Sequence, residues 1–259
     1  MARTPEGPPP PPAVQRLRFR YAKRGRLRFS SHRDFQRALE RALRRARVPM
    51  AYSAGFSPHP KVSYAGAAPT GTASEAEYVE LAVVERVDPE ALRVALDASL
   101  PPGLDVLEVV ESSGGALADR LEASLWQVVL PGVRAEAAAA AVAAFLDREG
   151  VEVERRTKDG TRTLDARAAV VRLEVGDTPA GGTVAAEAGE GPCAILHLVV
   201  RHTTPAVRPD DVLSGLRAVA DLAPPSPPAV TRLAQGPLVG PEGAVADPLQ
   251  PDRDAVGAG

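Results

Sequence analysis

Two histidines in the N-terminal half are the residues best suited to acid–base chemistry, because imidazole titrates near neutral pH. His32 opens a basic helical stretch, and His59 lies between Pro58 and Pro60, which restrict the backbone and would hold the ring in place. An enzyme that cleaves RNA without a metal could use His32 and His59 as acid and base, with Lys61 stabilising the charge on the phosphate. These three residues are the candidate catalytic set. The alternative for each histidine is a structural role in a turn or corner.

The same region carries side chains that suit a polyanion. Ser31 can cap a helix whose first turn contains Asp34, and the N–H groups and dipole of a helix start favour an anion beside His32. Tyr52 and Phe56 could stack on unpaired bases, although burial in a core with few aromatic residues is the alternative. We expect RNA or another anion to be bound by Arg26, Arg28, Ser31, His32, Arg33, Arg37, Arg41, Tyr52, Gly55, Phe56, His59 and Lys61.

Charge is distributed very unevenly along the chain. Residues 16–61 contain fourteen Lys and Arg but only two acidic residues, Asp34 and Glu40, which gives this segment a charge of +12. The remainder must carry −14, since the whole chain has a formal net charge of −2. Such a basic segment in an otherwise acidic chain favours a polyanionic partner, most simply RNA or DNA. The alternatives are a solvated basic surface, or one that pairs with the chain's own acidic residues.

The composition also excludes several classes of protein. Cys193 is the only cysteine, so an internal disulfide and a multi-cysteine zinc or iron–sulfur site are ruled out. The sequence contains no phosphate-loop, dinucleotide-binding or HExxH pattern, and we expect no metal and no cofactor. It has no apolar run of the ~20 residues that a membrane span needs, and its first residues have no apolar core. We therefore expect a cytoplasmic protein with no membrane partner.

The elements that would position these residues form a βαββαβ series in residues 15–112. Strands are predicted at 16–21, 61–65, 78–84 and 104–110 from alternating or continuous apolar residues. A turn is predicted at 23–25, and residues 27–29 are predicted to be a short extended piece after it. One helix has an apolar stripe and ends before Pro49, and a second begins at Pro89. This order is typical of a ferredoxin-like fold, in which two helices cover one face of an antiparallel sheet.

Residues 122–235 repeat the scheme. Strands are predicted at 124–130, 151–157, 194–202 and 230–233, and helices at 136–148 and 209–220. Residues 164–175 are compatible with a short helix or a strand, and 176–192 are predicted to be a loop. We therefore predict an α+β protein of two tandem ferredoxin-like halves with antiparallel sheets. The proline-rich residues 1–14 and the segment 236–259 are predicted to be disordered tails.

Several of these pieces together resemble one bacterial family. They are the arginine-rich first strand, LRFSSHRDFQRALERALRRA, AYSAGFSPHPKVSYA, the turn Pro69-Thr70-Gly71 and SEAEY. The chain resembles the radical SAM-linked domain, a bacterial family of unknown function that occurs alone or fused to a B12-binding radical SAM protein. Arg33 departs from the family's usual apolar residue after the histidine, and Ser57 stands where asparagine or histidine is common. The resemblance implies a place beside a radical SAM enzyme, whose iron–sulfur cluster this chain has too few cysteines to hold.

Three hypotheses follow. The first is a non-catalytic accessory of a radical SAM or RNA-modification system, in which the basic strand and helix hold the phosphates of a tRNA or rRNA. In that hypothesis the loop around His59 contacts the substrate or a partner. The second is the metal-independent RNA-processing enzyme that uses His32 and His59. The third is a protein-interaction scaffold for a ribonuclease or a radical SAM protein.

Overall fold

The computed structural model describes residues 10–158, 160–176 and 191–257. These residues form twelve β-strands and five α-helices. The strands are β1 (Gln15–Lys23), β2 (Val62–Ala65), β3 (Ala73–Val83), β4 (Leu104–Glu111), β5 (Ala123–Pro131), β6 (Glu152–Thr157), β7 (Gly160–Asp165), β8 (Val170–Gly176), β9 (Cys193–Arg201), β10 (Ala229–Gly236), β11 (Leu238–Val239) and β12 (Ala244–Val245). The helices are α1 (His32–Arg45), α2 (Pro89–Asp97), α3 (Ala135–Leu146), α4 (Pro209–Ala220) and α5 (Gln250–Gly257). Short 3-10 helices lie at Gly25–Phe29 and Leu117–Arg120.

The described residues divide into two compact units. Unit 1 contains the chain as far as Asp119 and the residues from Pro248 onward, and unit 2 contains Arg120–Asp247. The strand pairings described within each unit are antiparallel. The prediction of an α+β protein with antiparallel strands is therefore confirmed. In the described ranges no helix has both the length and the apolar character needed to cross a membrane.

Unit 1 is built on four strands in the order β4-β1-β3-β2. In β1, Phe19 lies opposite Val79 of β3 and Val109 of β4, and all three belong to one apolar core. Helix α1 adds Phe35 and Leu39 to the same core. Because these apolar residues repeat every three to four positions, they fix one face of α1 against the strands and leave its basic face in solvent.

The side chain of Arg18 leaves β1 on the opposite side from its neighbours Leu17 and Phe19. It is 0% exposed, and its Nη1 donates to both carboxylate oxygens of Asp252 in α5, at 3.0 and 3.1 Å. Leu249, just before α5, is also fully buried. The prediction of disorder for 236–259 is therefore wrong for the described part, 236–257. The residues from Pro248 onward belong to unit 1, where Asp252 supplies a buried carboxylate to the buried guanidinium of Arg18.

Residues 27–29 are not extended, so the prediction from the sequence is wrong here. They belong to the 3-10 helix Gly25–Phe29, in which Leu27 N–H donates to Arg24 O at 3.1 Å and Ser30 N–H to Leu27 O at 3.0 Å. Gly25 starts this turn with φ of +54°, a conformation that glycine adopts without steric cost. Of the predicted N-terminal tail, residues 1–9 lie outside the described ranges, and residues 10–14 have no regular secondary structure.

Unit 2 has the strand order β10-β5-β9-β8 and a separate β6–β7 hairpin. Helices α3 and α4 pack closely, since a Cβ at Gly215 of α4 would lie 2.7 Å from the Phe145 ring of α3. Residues 164–175 are the end of β7, a turn and most of β8. The loop predicted at 176–192 falls largely on residues 177–190, which lie outside the described ranges.

Candidate functional site

Helix α1 begins with a complete capping box. Ser31 is the N-cap: Asp34 N–H donates to Ser31 Oγ at 3.2 Å, and Ser31 N–H donates to Asp34 Oδ2 at 3.1 Å. The hydrogen bonds from the Ser31 hydroxyl and backbone hold the pKa of the Asp34 carboxyl below its ordinary value. The helix start therefore already carries an anion of its own. This arrangement weakens the expectation that Ser31 and His32 hold an external phosphate at the helix dipole.

His32 is the first residue of α1 and is exposed. Its Nε2 lies 3.0 Å from Nε2 of Gln36, and its ring meets the edge or face of Tyr64 at 4.9 Å between centroids. Tyr64 also packs against Phe35 of the core. Desolvation, with the nearby Glu40 carboxylate, raises the pKa of Tyr64 to about 12. The imidazole is thus a packed surface residue at the helix start.

His59 lies in a loop that is closed by backbone hydrogen bonds. Ser53 N–H donates to His59 O at 2.9 Å, His59 N–H donates to Ser53 Oγ at 3.0 Å, and Lys61 N–H donates to Ala51 O at 2.8 Å. The tip of the loop contains Gly55, whose φ of +130° favours glycine. These bonds give a hairpin with an exposed tip, which we call the 52–60 hairpin. His59 is exposed on the hairpin, and Lys61, which follows it, is exposed as well.

The structure does not bring the two histidines together. His32 borders a cavity of about 10 Å³ with Lys23 and Glu77, whereas His59 borders a groove of about 270 Å³ that includes Leu43 of α1. Leu43 lies eleven positions after His32, about 16 Å along the axis, because a helix rises 1.5 Å per residue. An acid and a base must both reach one substrate group within hydrogen-bond distance. His32 and His59 therefore do not form the acid–base pair of the RNA-processing hypothesis.

The outer face of α1 carries a row of arginines. Arg33, Arg37 and Arg41 are exposed and recur every fourth residue, so their Cβ atoms are about 6 Å apart. Among the residues that the structure describes, they form no hydrogen bond and no ion pair within 4.0 Å. We call these three residues the arginine row. Arg26 is also exposed, and the Arg28 guanidinium lies 4.8 Å from the Phe29 ring centroid.

The arginines of β1 and its following turn behave differently. Arg18 also donates from Nε to Glu80 at 2.8 Å, and Arg24 is paired with Glu75 and with Asp105, the latter at 2.9 Å. The Glu75 contact is the main cause that raises the pKa of Arg24. The expectation that the basic strand holds phosphate is wrong for Arg18, since its guanidinium is buried against carboxylates. Here the basic segment pairs with the chain's own acidic residues.

Three aromatic rings are exposed in unit 1. Tyr52 is 41% exposed and Phe56 is 69% exposed, so both stand in solvent on the 52–60 hairpin as base stacking would require. Phe29, which the sequence predicts to lie in a short extended piece, is 59% exposed. The sequence signal for its exposure is its position two residues before Ser31, the N-cap of α1. The groove residues Glu40, Leu43, Arg44 and Met50 were also missed, because their convergence with His59 depends on the fold.

Comparison with known proteins places the chain in a family. Residues 16–209 match a family described as uncharacterized protein conserved in bacteria, DUF2344. The chain belongs to this family. A comparison with curated proteins gave no match. Among solved structures, an unknown protein from Galdieria sulphuraria is similar at 13% identity, with 80% of this chain and 92% of that chain covered. The TM-score of that pair is 0.23, which is too low to support an argument.

Proposed function

We propose that this family member is a non-catalytic RNA-binding accessory of an RNA-modification system, and that unit 1 binds the RNA. The observation that carries the proposal is the arginine row. Like charges four residues apart destabilise a helix by about 0.2–0.5 kcal/mol per pair, and α1 contains two such pairs, Arg33–Arg37 and Arg37–Arg41. The Asp34 carboxylate offsets part of this repulsion, because it interacts with Arg33 and Arg37, and a bound polyanion removes the rest. The row therefore suits a phosphate backbone better than it suits an isolated helix.

The exposed aromatic residues extend this surface at both ends. Phe29 precedes the start of α1, and the 52–60 hairpin lies beside its C-terminal half. The fourteen residues of α1 are about 21 Å long. Stacking of a base on an exposed aromatic ring contributes roughly 1–3 kcal/mol and tolerates any sequence. Arginines between stacking rings are the combination that single-stranded nucleic-acid binders use.

The strand connections support a finer description of the fold. We infer that each unit is a ferredoxin-like βαββαβ domain, since β1, α1, β2, β3, α2 and β4 follow one another and the strands lie in the order β4-β1-β3-β2. Unit 2 has the equivalent order β10-β5-β9-β8, with the β6–β7 hairpin inserted after α3. Ferredoxin-like sheets often serve as RNA platforms, and this is support by fold analogy only.

The partner protein is proposed from the sequence resemblance. LRFSSHRDFQRALERALRRA and AYSAGFSPHPKVSYA resemble the radical SAM-linked domain, so we propose a radical SAM enzyme that modifies tRNA or rRNA as the partner. A ribonuclease is the alternative partner. The described ranges contain no group of three His, Cys, Asp or Glu side chains that could hold a metal. Co-purification of the full chain with a tagged radical SAM enzyme of the same bacterium tests this pairing.

Charge reversal in the arginine row tests the RNA proposal. We expect Arg37→Glu with Arg41→Glu to weaken binding of a fluorescent single-stranded RNA at least tenfold at low salt, measured by fluorescence anisotropy. The negative slope of log K against log salt should become shallower by about 1.4, since two phosphate contacts are lost and each contact on a single strand contributes about 0.7. The matched control is Arg217→Glu, because Arg217 is an exposed helix arginine in unit 2.

Two results would contradict the proposal. Wild-type protein that binds no RNA at low salt would overturn it, as would equal binding by the double variant and the Arg217→Glu control. The same labelled RNA, incubated with wild-type protein in chelator, should stay intact. Cleavage that is lost in His59→Ala would replace the accessory role with an enzyme.

A further inference from the structure

The groove beside the 52–60 hairpin has a polar and an apolar side. Its volume is about 270 Å³. Leu43 and Met50, which are 3% and 8% exposed, form an apolar floor, and the exposed rings of Tyr52 and His59 border it. Pockets that enclose drug-sized ligands have about 300–1,000 Å³. This groove is smaller, and its apolar floor between two rings suits one flat heterocycle.

The rim of the groove determines which heterocycle fits. Glu40 and Arg44 border it from α1. Their closest charged atoms are 4.0 Å apart, and Arg44 Nε donates instead to the Glu40 backbone oxygen at 3.2 Å. The Glu40 side chain is 49% exposed, so its carboxylate has room to accept hydrogen bonds from a ligand. A carboxylate beside an apolar slot selects a ring whose edge carries N–H donors.

The surroundings of the groove suit a ligand that is part of a nucleic acid. Arg41 of the arginine row lies on the same turn of α1 as Glu40 and Arg44, so phosphates that follow the row arrive at the groove. Sequence-specific RNA recognition takes unstacked bases, which stack on aromatic rings and hydrogen-bond through their Watson–Crick edge. A free small anion would leave the apolar floor unused, and a neutral apolar ligand would leave Arg44 and Glu40 unused.

We propose that this groove binds one unstacked guanine of a single-stranded RNA. The guanine stacks on Tyr52, and the Glu40 carboxylate accepts hydrogen bonds from the adjacent imino and amino N–H groups of its Watson–Crick edge. Arg44 contacts the phosphate of the same nucleotide. Uracil is disfavoured, because its Watson–Crick edge offers only one imino N–H, between two carbonyl oxygens that would face the carboxylate. This inference rests on the proposed RNA-binding function, and it adds base specificity to a surface that otherwise contacts only phosphates and ring faces.

The test compares two nine-nucleotide RNAs, all uridine and uridine with one central guanine, in anisotropy titrations with the full chain. We expect the guanine-containing RNA to bind about tenfold more tightly, because a bidentate contact discriminates against a base that cannot make it. Glu40→Gln should reduce this preference below about twofold. Tyr52→Ala should weaken guanine binding about tenfold. The matched control is Glu85→Gln, an exposed glutamate of unit 1 outside the groove.

The outcomes separate the two proposals. If neither RNA binds at low salt, the RNA-binding function and the guanine site both fail. A second outcome would overturn the guanine site alone. In it, both RNAs bind equally, Glu40→Gln and Tyr52→Ala have no effect, and reversal of Arg37 and Arg41 still weakens binding. The RNA-binding function would then stand. The groove would then be left for a side chain of a partner protein.

Discussion

Asp252 is the most informative position for testing why the C-terminal segment is ordered. The carboxylate is 0% exposed and accepts from Arg18 Nη1 at 3.0 and 3.1 Å and from Ser113, through N–H at 2.8 Å and Oγ at 2.7 Å. Asp252→Ala removes these acceptors and leaves the Arg18 guanidinium buried. Removal of one partner from a buried ion pair costs about 3–5 kcal/mol. Glu80 still neutralises Arg18 at 2.8 Å, so we expect a loss near the lower limit, about 3 kcal/mol.

The aromatic residues make this loss measurable in unit 1 alone. All four tyrosines, Tyr21, Tyr52, Tyr64 and Tyr78, lie in unit 1, and the single tryptophan, Trp126, lies in unit 2. Second-derivative tyrosine absorbance therefore reports unit 1 during urea unfolding, and tryptophan fluorescence reports unit 2. With a denaturant slope of about 2 kcal/mol per M, a loss of 3 kcal/mol lowers the urea midpoint by about 1.5 M.

The control lies two residues away on the same helix. Asp254 is exposed and accepts a hydrogen bond from Gln250 at 2.7 Å, so Asp254→Ala should change stability by less than about 0.5 kcal/mol. Asp252→Asn keeps one acceptor and the side-chain shape, so its loss of stability should lie between those of Asp252→Ala and Asp254→Ala. Equal tyrosine midpoints for Asp252→Ala and Asp254→Ala would refute the argument that the Arg18 pair holds α5 in place.

Two further predictions concern pH. The phenol of Tyr64, with its pKa raised to about 12, should ionise later than a free tyrosine in an ultraviolet absorbance titration, and Tyr64→Phe should remove this late phase. Since the pKa is raised in the folded state, the stability that it contributes is complete below pH 10 and is lost between pH 10 and about 12. In unit 2, desolvation lowers the pKa of His202, whose Nε2 and Nδ1 lie 2.7 Å from Ser124 Oγ and from Leu121 O. The neutral ring is favoured in the folded state, so its contribution to stability is complete above pH 6.5 and is lost as the pH falls below that value. His202→Gln should therefore flatten the pH dependence of the urea midpoint that Trp126 fluorescence reports. An unchanged pH dependence in this variant would contradict the prediction.

Local signals allowed much of the fold to be predicted from the sequence. Helix α4 was predicted at its observed bounds because Pro209 suits the first turn and an apolar stripe follows. Helix α1 has both a capping box and a core-facing stripe. The segment after 236 has neither signal. Helix α5 is short and polar, and its buried Asp252 pairs with Arg18, more than 230 positions away in the chain. No local pattern reports a partner at that distance.

Local signals also allowed part of the candidate site to be predicted from the sequence. The Pro58-His59-Pro60 sequence indicated a fixed loop, and the structure has a hydrogen-bonded hairpin there. The exposure of Tyr52 and Phe56 was left open by the sequence, because an aromatic residue in a chain with few of them suits a core or a surface. The separation of the two histidines was also open. It follows from packing, since the hairpin lies against the C-terminal half of α1 while His32 lies at the other end.

The excess of positive charge in residues 16–61 has two physical origins, and only one of them supports RNA binding. In β1 and the turn after it, arginines such as Arg18 and Arg24 face carboxylates of the same unit, so their charge is neutralised inside the fold. On α1, the arginine row faces solvent and is spaced so that its members repel one another. A charge count cannot separate these groups, because it ignores which side of an element each residue occupies. Period two places Arg18 opposite the core-facing residues of β1, whereas a spacing of four places Arg33, Arg37 and Arg41 on one outer line of a helix. The case for a polyanion therefore rests on three residues of one helix and not on the net charge of the segment.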